Sequence, residues 1–190
     1  MGPAKVFKNR SSYNITKKCV GPKDGLFIRM KEPSMRDTTE SNRYFSGHKK
    51  GSAMNFQRIC DAPYRIVALT MNCPGSQNDR TAFKFSGFDW VLEGIPLGHF
   101  ILGDAAYPVS DPVLVPYPGT ALTTSQDAFN MYKSQCRMAI EQPFGVMVRP
   151  PRRWGILCRP MEVVLERFTL VVDAIVRLHN FCRDRMVELE

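Results

Sequence analysis

The spacing of apolar residues changes along this chain, and that change decides what it can fold into. Before about residue 120 the apolar runs are short and punctuated by Pro, Gly, Asn and Asp. Ser52 to Cys60 alternates in character and reads as a strand. Asp61-Ala62-Pro63 makes a turn, and Tyr64 to Asn72 (YRIVALTMN) is a β-branched run suited to a buried strand beside it. Cys73-Pro74-Gly75-Ser76 ends that run. Lys23 to Met30 and Phe100 to Asp104 read as further short strands, with another expected over Pro112 to Tyr117. Residues 31–48 read as an exposed loop, and 77–98 as loop with a short helix. After this the period becomes helical. Ser125 is placed as an N-cap with Asp127 in the first turn, followed by Phe129, Tyr132, Cys136, Ala139 and Ile140 at helical spacing. A long helix is expected over Met161 to Arg183, with Val164, Phe168, Val171, Val172, Ile175, Leu178 and Cys182 on its apolar stripe. Strands first and helices later predict an α/β or α+β domain, a mixed sheet with helices packed on it.

A chain of 190 residues can bury one sizeable core but is short for two. The expected organisation is a basic arm over 1–19 and a single domain over 20–185. No apolar run reaches the ~18–20 residues that cross a bilayer, and Met1 to Arg10 lacks the apolar stretch of a signal peptide, which places the protein inside the cell. Lys and Arg exceed Asp and Glu by 26 to 18, a net charge of +8 that favours polyanionic partners. No basic amphipathic helix stands out, so nucleic acid ranks ahead of a membrane surface. The six cysteines (Cys19, Cys60, Cys73, Cys136, Cys158, Cys182) form no CxxC pair and mostly adjoin apolar residues, which suits reduced, buried thiols.

Three acids occupy positions that chemistry could use. Asp24 lies on the first strand, Asp104 ends an apolar strand, and Glu141 lies on a helix whose other face is apolar. Carboxylates from two adjacent strands and a packed helix can meet at one sheet edge. Such a group repels itself unless cations fill it, and its hard oxygen donors suit Mg²⁺ or Mn²⁺. From pattern alone, an Asp at a strand end is usually a turn residue and a Glu on a helix usually faces water.

The order of motifs separates these readings. Ile101-Leu102-Gly103-Asp104-Ala105-Ala106-Tyr107-Pro108 is followed by Leu114-Val115-Pro116-Tyr117, Phe129-Asn130, Arg137-Met138-Ala139-Ile140-Glu141-Gln142-Pro143-Phe144-Gly145 and Leu178-His179-Asn180-Phe181-Cys182. Upstream stand Lys23-Asp24-Gly25 and Cys73-Pro74-Gly75-Ser76-Gln77-Asn78-Asp79. This series resembles the ordered signature of Harbinger-type transposases of the DDE superfamily. The resemblance implies an RNase H-like α/β fold and a divalent-metal nuclease acting on DNA. Carried over position by position, it makes Asp24 and Asp104 the metal-binding aspartates and Glu141 the glutamate, with Asp79 as a lower-ranked fourth acid. A DNA-acting protein of this kind is expected in the nucleus, and a separate DNA-binding protein could serve as its partner.

The other candidates concern nucleic acid. Arg137 lies one helical turn before Glu141 and suits a phosphate contact or a salt bridge. Arg149, Arg152 and Arg153 with Trp154 suit a backbone grip in which Trp154 stacks, or else a loop that Trp154 anchors to the core. His48-Lys49-Lys50 reads as an exposed turn and His179 as a buried structural histidine. Two departures from the family pattern stand out. Lys23 precedes Asp24 where an apolar strand residue is usual, and together with Pro22 it is expected to shorten or distort the first strand. Pro143 follows Glu141 closely and is expected to kink or end its helix. Two readings follow: an active metal-dependent nuclease, or a catalytically inactive, transposon-derived binding module. A different small α/β enzyme with structural acids is the third.

Overall fold

The centre of the sheet is β1, Cys19–Arg29, the longest strand of a computed structural model that describes residues 18–61, 64–135 and 154–187. It pairs antiparallel with β3 (Gly51–Cys60), in a register that sets Asp24 against Arg58 and Gly25 against Gln57. On its other side it pairs parallel with β5 (Phe100–Leu102), which pairs parallel with β6 (Val113–Leu114). β4 (Ile66–Pro74) and the two-residue β2 (Phe45–Ser46) both pair antiparallel with β3. Four antiparallel strands, one of them the two-residue β2, continued by two parallel ones make the mixed sheet of an RNase H-like α/β fold, and helices flank it.

Pro22 and Lys23 do not shorten β1. Gly21 explains part of this, because a Cβ there would drive into the carbonyl oxygen of Cys60; the bare backbone lets β1 and β3 close up. The irregularity falls instead in the parallel register with β5, between Cys19 and Gly21.

Strand alternation sends successive side chains to opposite faces. One face carries Leu26 and Ile28 of β1 with Met54 and Phe56 of β3, and the long C-terminal helix α4 (Leu165–Val187) covers it with Phe168, Val172, Ile175 and Val176. Phe56 and Phe168 stack there at 6.3 Å. The other face carries Lys23, Gly25 and Phe27, with Ile59, Gln57 and Asn55 opposite them. It is covered by α1 (Asp79–Phe85), α2 (Asp89–Glu93) and the turn holding Tyr107, with Phe83, Phe88 and Tyr107 packing against Ile59, Ile101 and Val113 of the sheet.

α4 starts later than the apolar pattern suggests. Met161 is drawn out of the helix into a parallel bridge with Met30, its N–H donating to the Arg29 carbonyl at 3.1 Å and its own carbonyl accepting from Lys31 at 3.0 Å. The helix α3, at 124–135, is capped at Thr123 and not at Ser125. Thr123 Oγ1 accepts from the Gln126 N–H at 3.3 Å, and Gln126 Oε1 accepts from the Thr123 N–H at 3.0 Å. This is a capping box. At the far end of α4, Asn180 clamps β4. Its Oδ1 accepts from the Ile66 N–H and its Nδ2 donates to the Ile66 carbonyl, each at 2.9 Å. His179 beside it is 1% exposed, and its Nε2 lies 2.9 Å from the Tyr64 carbonyl, the structural role expected of it. Of the described cysteines, Cys19, Cys60 and Cys73 are buried, Cys182 is partly so and Cys158 is exposed. No helix among the described residues is long and apolar enough to cross a membrane.

Candidate active site

β1, β3 and the N-terminus of α1 enclose a cleft of about 460 Å³, lined by Asp24, Gly25, Phe27, Asn55, Asp79 and the residues just before it, with Ser46, His48 and Lys49 at its other end. Asp24 comes from the middle of β1, where its side chain is 26% exposed and stands 3.7 Å from the guanidinium of buried Arg58. Asp79 opens α1, whose N-cap is Asn78; the Asn78 side chain accepts from the Thr81 N–H at 2.8 Å. The Pro-Gly-Ser block therefore does more than shape a loop: it ends β4 and delivers Asp79 at the head of a helix, over the sheet.

Asp79 is held there by two features that depend on residues far away in sequence. Gly25 offers a bare backbone in which the Asp79 carboxylate nests; a Cβ at this position would collide with Oδ1. Asn55 Nδ2 donates to the same oxygen at 3.0 Å. Asn55 Oδ1 in turn accepts from Gln57 Nε2 at 3.0 Å. Gln57 Oε1 accepts both from the Tyr107 hydroxyl, at 3.0 Å, and from Lys23 Nζ, at 2.5 Å. The result is a buried hydrogen-bond chain in which every donor points onward to Asp79. Interior chains of this kind polarise one another and fix geometry.

Asp104 follows β5. Its Oδ1 accepts from the Ala106 N–H at 2.8 Å, which closes the turn that drops Tyr107 into the core. Thus Asp104 has a local structural task whatever else it does.

Lys23 ties these acids together. Its side chain is fully buried, with Nζ 3.3 Å from the centre of the Tyr107 ring and 4.3 Å from that of Phe83. Burial pushes its pKa down to about 7, against the pull of Asp79, then Asp104, then Asp24. One ammonium is thus in electrostatic reach of all three described acids. Sequence reasoning located the lysine but not its burial, because a charge next to an acid on a strand reads as solvated.

Glu141, Arg137, Arg149, Arg152, Arg153 and Pro143 lie outside the described residues. Trp154 lies within them, half-buried and packed against the core cluster beneath α4. Among the described residues, no group of three His, Cys, Asp or Glu side chains stands close enough to hold a metal ion. The acids that line the cleft, Asp24 and Asp79, offer carboxylate oxygens; its lining has no thiol, and His48 adds an imidazole at the other end. That chemistry fits a hard divalent cation and not a soft one. The Gly25 cradle, which a methyl group would fill, keeps one of these carboxylates against the sheet.

The class this arrangement defines is an RNase H-like sheet bearing acids about a cleft. Comparison with known proteins agrees. The DDE superfamily endonuclease family matches residues 23–180, and the chain belongs to that family. It is also 27% identical over 184 residues to a protein of Arabidopsis thaliana named "Protein ALP1-like", a match covering 87% of this chain and 43% of the relative. The chain therefore spans less than half the length of that relative. No solved structure matches. The Harbinger-type resemblance carried by the motifs is borne out by these two findings together.

Proposed function

We propose that this chain is a divalent-metal-dependent DNA endonuclease domain of the transposase type. Asp24, Asp104 and Glu141, joined by Asp79, are its ligands for Mg²⁺ or Mn²⁺. The observation that carries this reading is the family match across 23–180, a span that contains all four acids. The cleft shared by Asp24 and Asp79 supports it, as does the hydrogen-bond chain that holds Asp79 in one orientation. Bound ions of this type lower the pKa of water and stabilise the leaving 3′ oxygen of a phosphodiester. The protein's own contribution is position. A misplacement of about 1 Å can cost a hundredfold in rate, and Gly25, Asn55 and Gln57 hold Asp79 against such drift. Arg137, Arg149, Arg152 and Arg153 bind the DNA backbone in this reading. A separate DNA-binding protein would supply sequence choice, and the nucleus is the place of action.

One observation favours a second reading, a catalytically inactive, transposon-derived binding module. Lys23 puts a buried cation beside the acids, where it competes with any metal for them. Nicking of supercoiled plasmid in Mn²⁺ separates the two. The first reading expects nicking by the natural chain and its loss in Asp104→Asn. The second expects nicking by neither. Activity appearing only in Pro143→Ala would assign the inactivity to the helix break that the sequence leads one to expect beside Glu141.

A further inference from the structure

The cleft has a second end that the acids do not explain. β2 and β3 are joined by the turn Gly47-His48-Lys49-Lys50, whose residues are all exposed. His48 and Lys49 line the same cleft as Asp24 and Asp79. Arg29, exposed at the end of β1, reaches across and donates to the Lys49 carbonyl at 3.2 Å. By strand alternation it lies on the face that carries Gly25 and Phe27. Four basic residues thus gather at one end of a cleft whose other end is acidic. Lys50 also takes a φ of 50°, a left-handed conformation that glycine adopts more cheaply, so the turn keeps a charged side chain at a backbone cost.

We infer that the His48–Lys50 turn, with Arg29, is a grip for the DNA backbone flanking the cleavage site. It holds the strand whose scissile phosphate lies at the acids. The inference rests on the nuclease reading of the cleft. Distance supports it. From Asp24 to Arg29 is five residues of extended strand, about 16 Å at ~3.3 Å per residue. That separation is a short stretch of one DNA strand, so the turn reaches a phosphate only a few positions from one held at the acids. Charge supports it as well. The acids alone repel DNA, and His48, Lys49 and Arg29 bring positive charge to the same cleft. The cleft-lining Phe27 gives an adjacent unstacked base an apolar surface to rest on.

The test is fluorescence anisotropy with a labelled 20-base-pair DNA duplex in EDTA, so that no cleavage occurs, over a series of salt concentrations. The variant Lys49→Ala with Lys50→Ala is compared with Arg167→Ala with Arg177→Ala, which removes two charges from exposed positions on α4. Removing one charge that neutralises a phosphate lowers the slope of log affinity against log salt by about 0.9. The turn variant is expected to lose about two in slope and about tenfold in affinity at low salt, while the α4 variant keeps the natural slope. Equal loss in both variants, or loss in neither, overturns the inference. Tighter binding of a matched RNA duplex overturns the assignment to DNA. Nicking in Mn²⁺, read separately, isolates the parent reading. Turn-dependent binding without nicking sinks the nuclease and leaves the grip. Nicking with turn-independent binding does the reverse.

Discussion

Lys23→Met places an uncharged side chain of similar length into the same space, and the structure sets what should follow. The lysine is fully buried, and burial brings its pKa to about 7 from an ordinary 10.5. A lysine whose folded pKa is depressed binds fewer protons in the native state than in the unfolded one between those two values. Stability therefore rises with pH across that window, at up to about 1.4 kcal/mol per unit. The useful range is narrower, because burial pushes the Cys60 thiol up to about 11. An unfolded thiol begins to ionise near pH 9, and its contribution then opposes the lysine's. Between pH 7 and 9 the lysine should make the natural protein more stable by about 2 kcal/mol. Lys23→Met should remove that rise. The substitution forfeits the cation's attraction to the aromatic rings, worth about 1–2 kcal/mol when desolvated. It leaves Gln57 Oε1 satisfied, since the Tyr107 hydroxyl still donates to it. At pH 7 the variant should be the more stable by about 2 kcal/mol, because relief from burying a charge outweighs that forfeited attraction. Urea unfolding in EDTA at pH 7, 8 and 9 measures both effects. Parallel pH profiles for the two proteins would refute the reasoning, and so would a less stable variant at pH 7.

Two further outcomes follow from the cleft. Gly25→Ala should displace the Asp79 carboxylate and break its bond from Asn55, at a cost of about 1–3 kcal/mol in urea unfolding, the usual range for overpacking; unchanged stability together with unchanged nicking would contradict the cradle. Mg²⁺ or Mn²⁺ at about a hundred times its dissociation constant should add about 2.7 kcal/mol and raise the melting temperature by roughly 5–10 °C, with Asp104→Asn blunting the rise; a melting curve unmoved by either ion would dismiss the metal site.

What the sequence disclosed depended on whether the cause was local. β3 and β4 announced themselves because their side chains alternate or are β-branched over a whole strand, and α4 because its apolar stripe is long. The motif order disclosed the family and with it the RNase H-like sheet. The misplaced boundaries share a cause: a partner elsewhere decided them. Met161 left its helix for the backbone of β1, and β1 ran through Pro22 because Gly21 allowed β3 to approach. Thr123 outcompeted Ser125 as a cap because Gln126 lies at the reciprocal spacing, a signal that could have been read from the residues alone. The place of Asp79 could not. It rests on Gly25 and Asn55, which are separated from it by more than twenty positions and mean nothing until β1 and β3 are paired.

The Asn180 clamp on Ile66 bears on the order in which the protein can be assembled during translation. The sheet face made by Leu26, Ile28, Met54 and Phe56 is complete as far as β4 once residue 74 has been made, but its cover comes from a helix that ends at residue 187. At about 5–20 residues per second, roughly ten seconds pass between the two. Through that interval a large apolar surface is open, and β1 waits as well for β5 to pair along its free edge. A segment made late is thus the one that closes the core, and Asn180 fastens it to the first residue of β4. A ribosome-stalled chain ending before α4 would present a bare sheet face, a ready substrate for chaperones and a seed for aggregation.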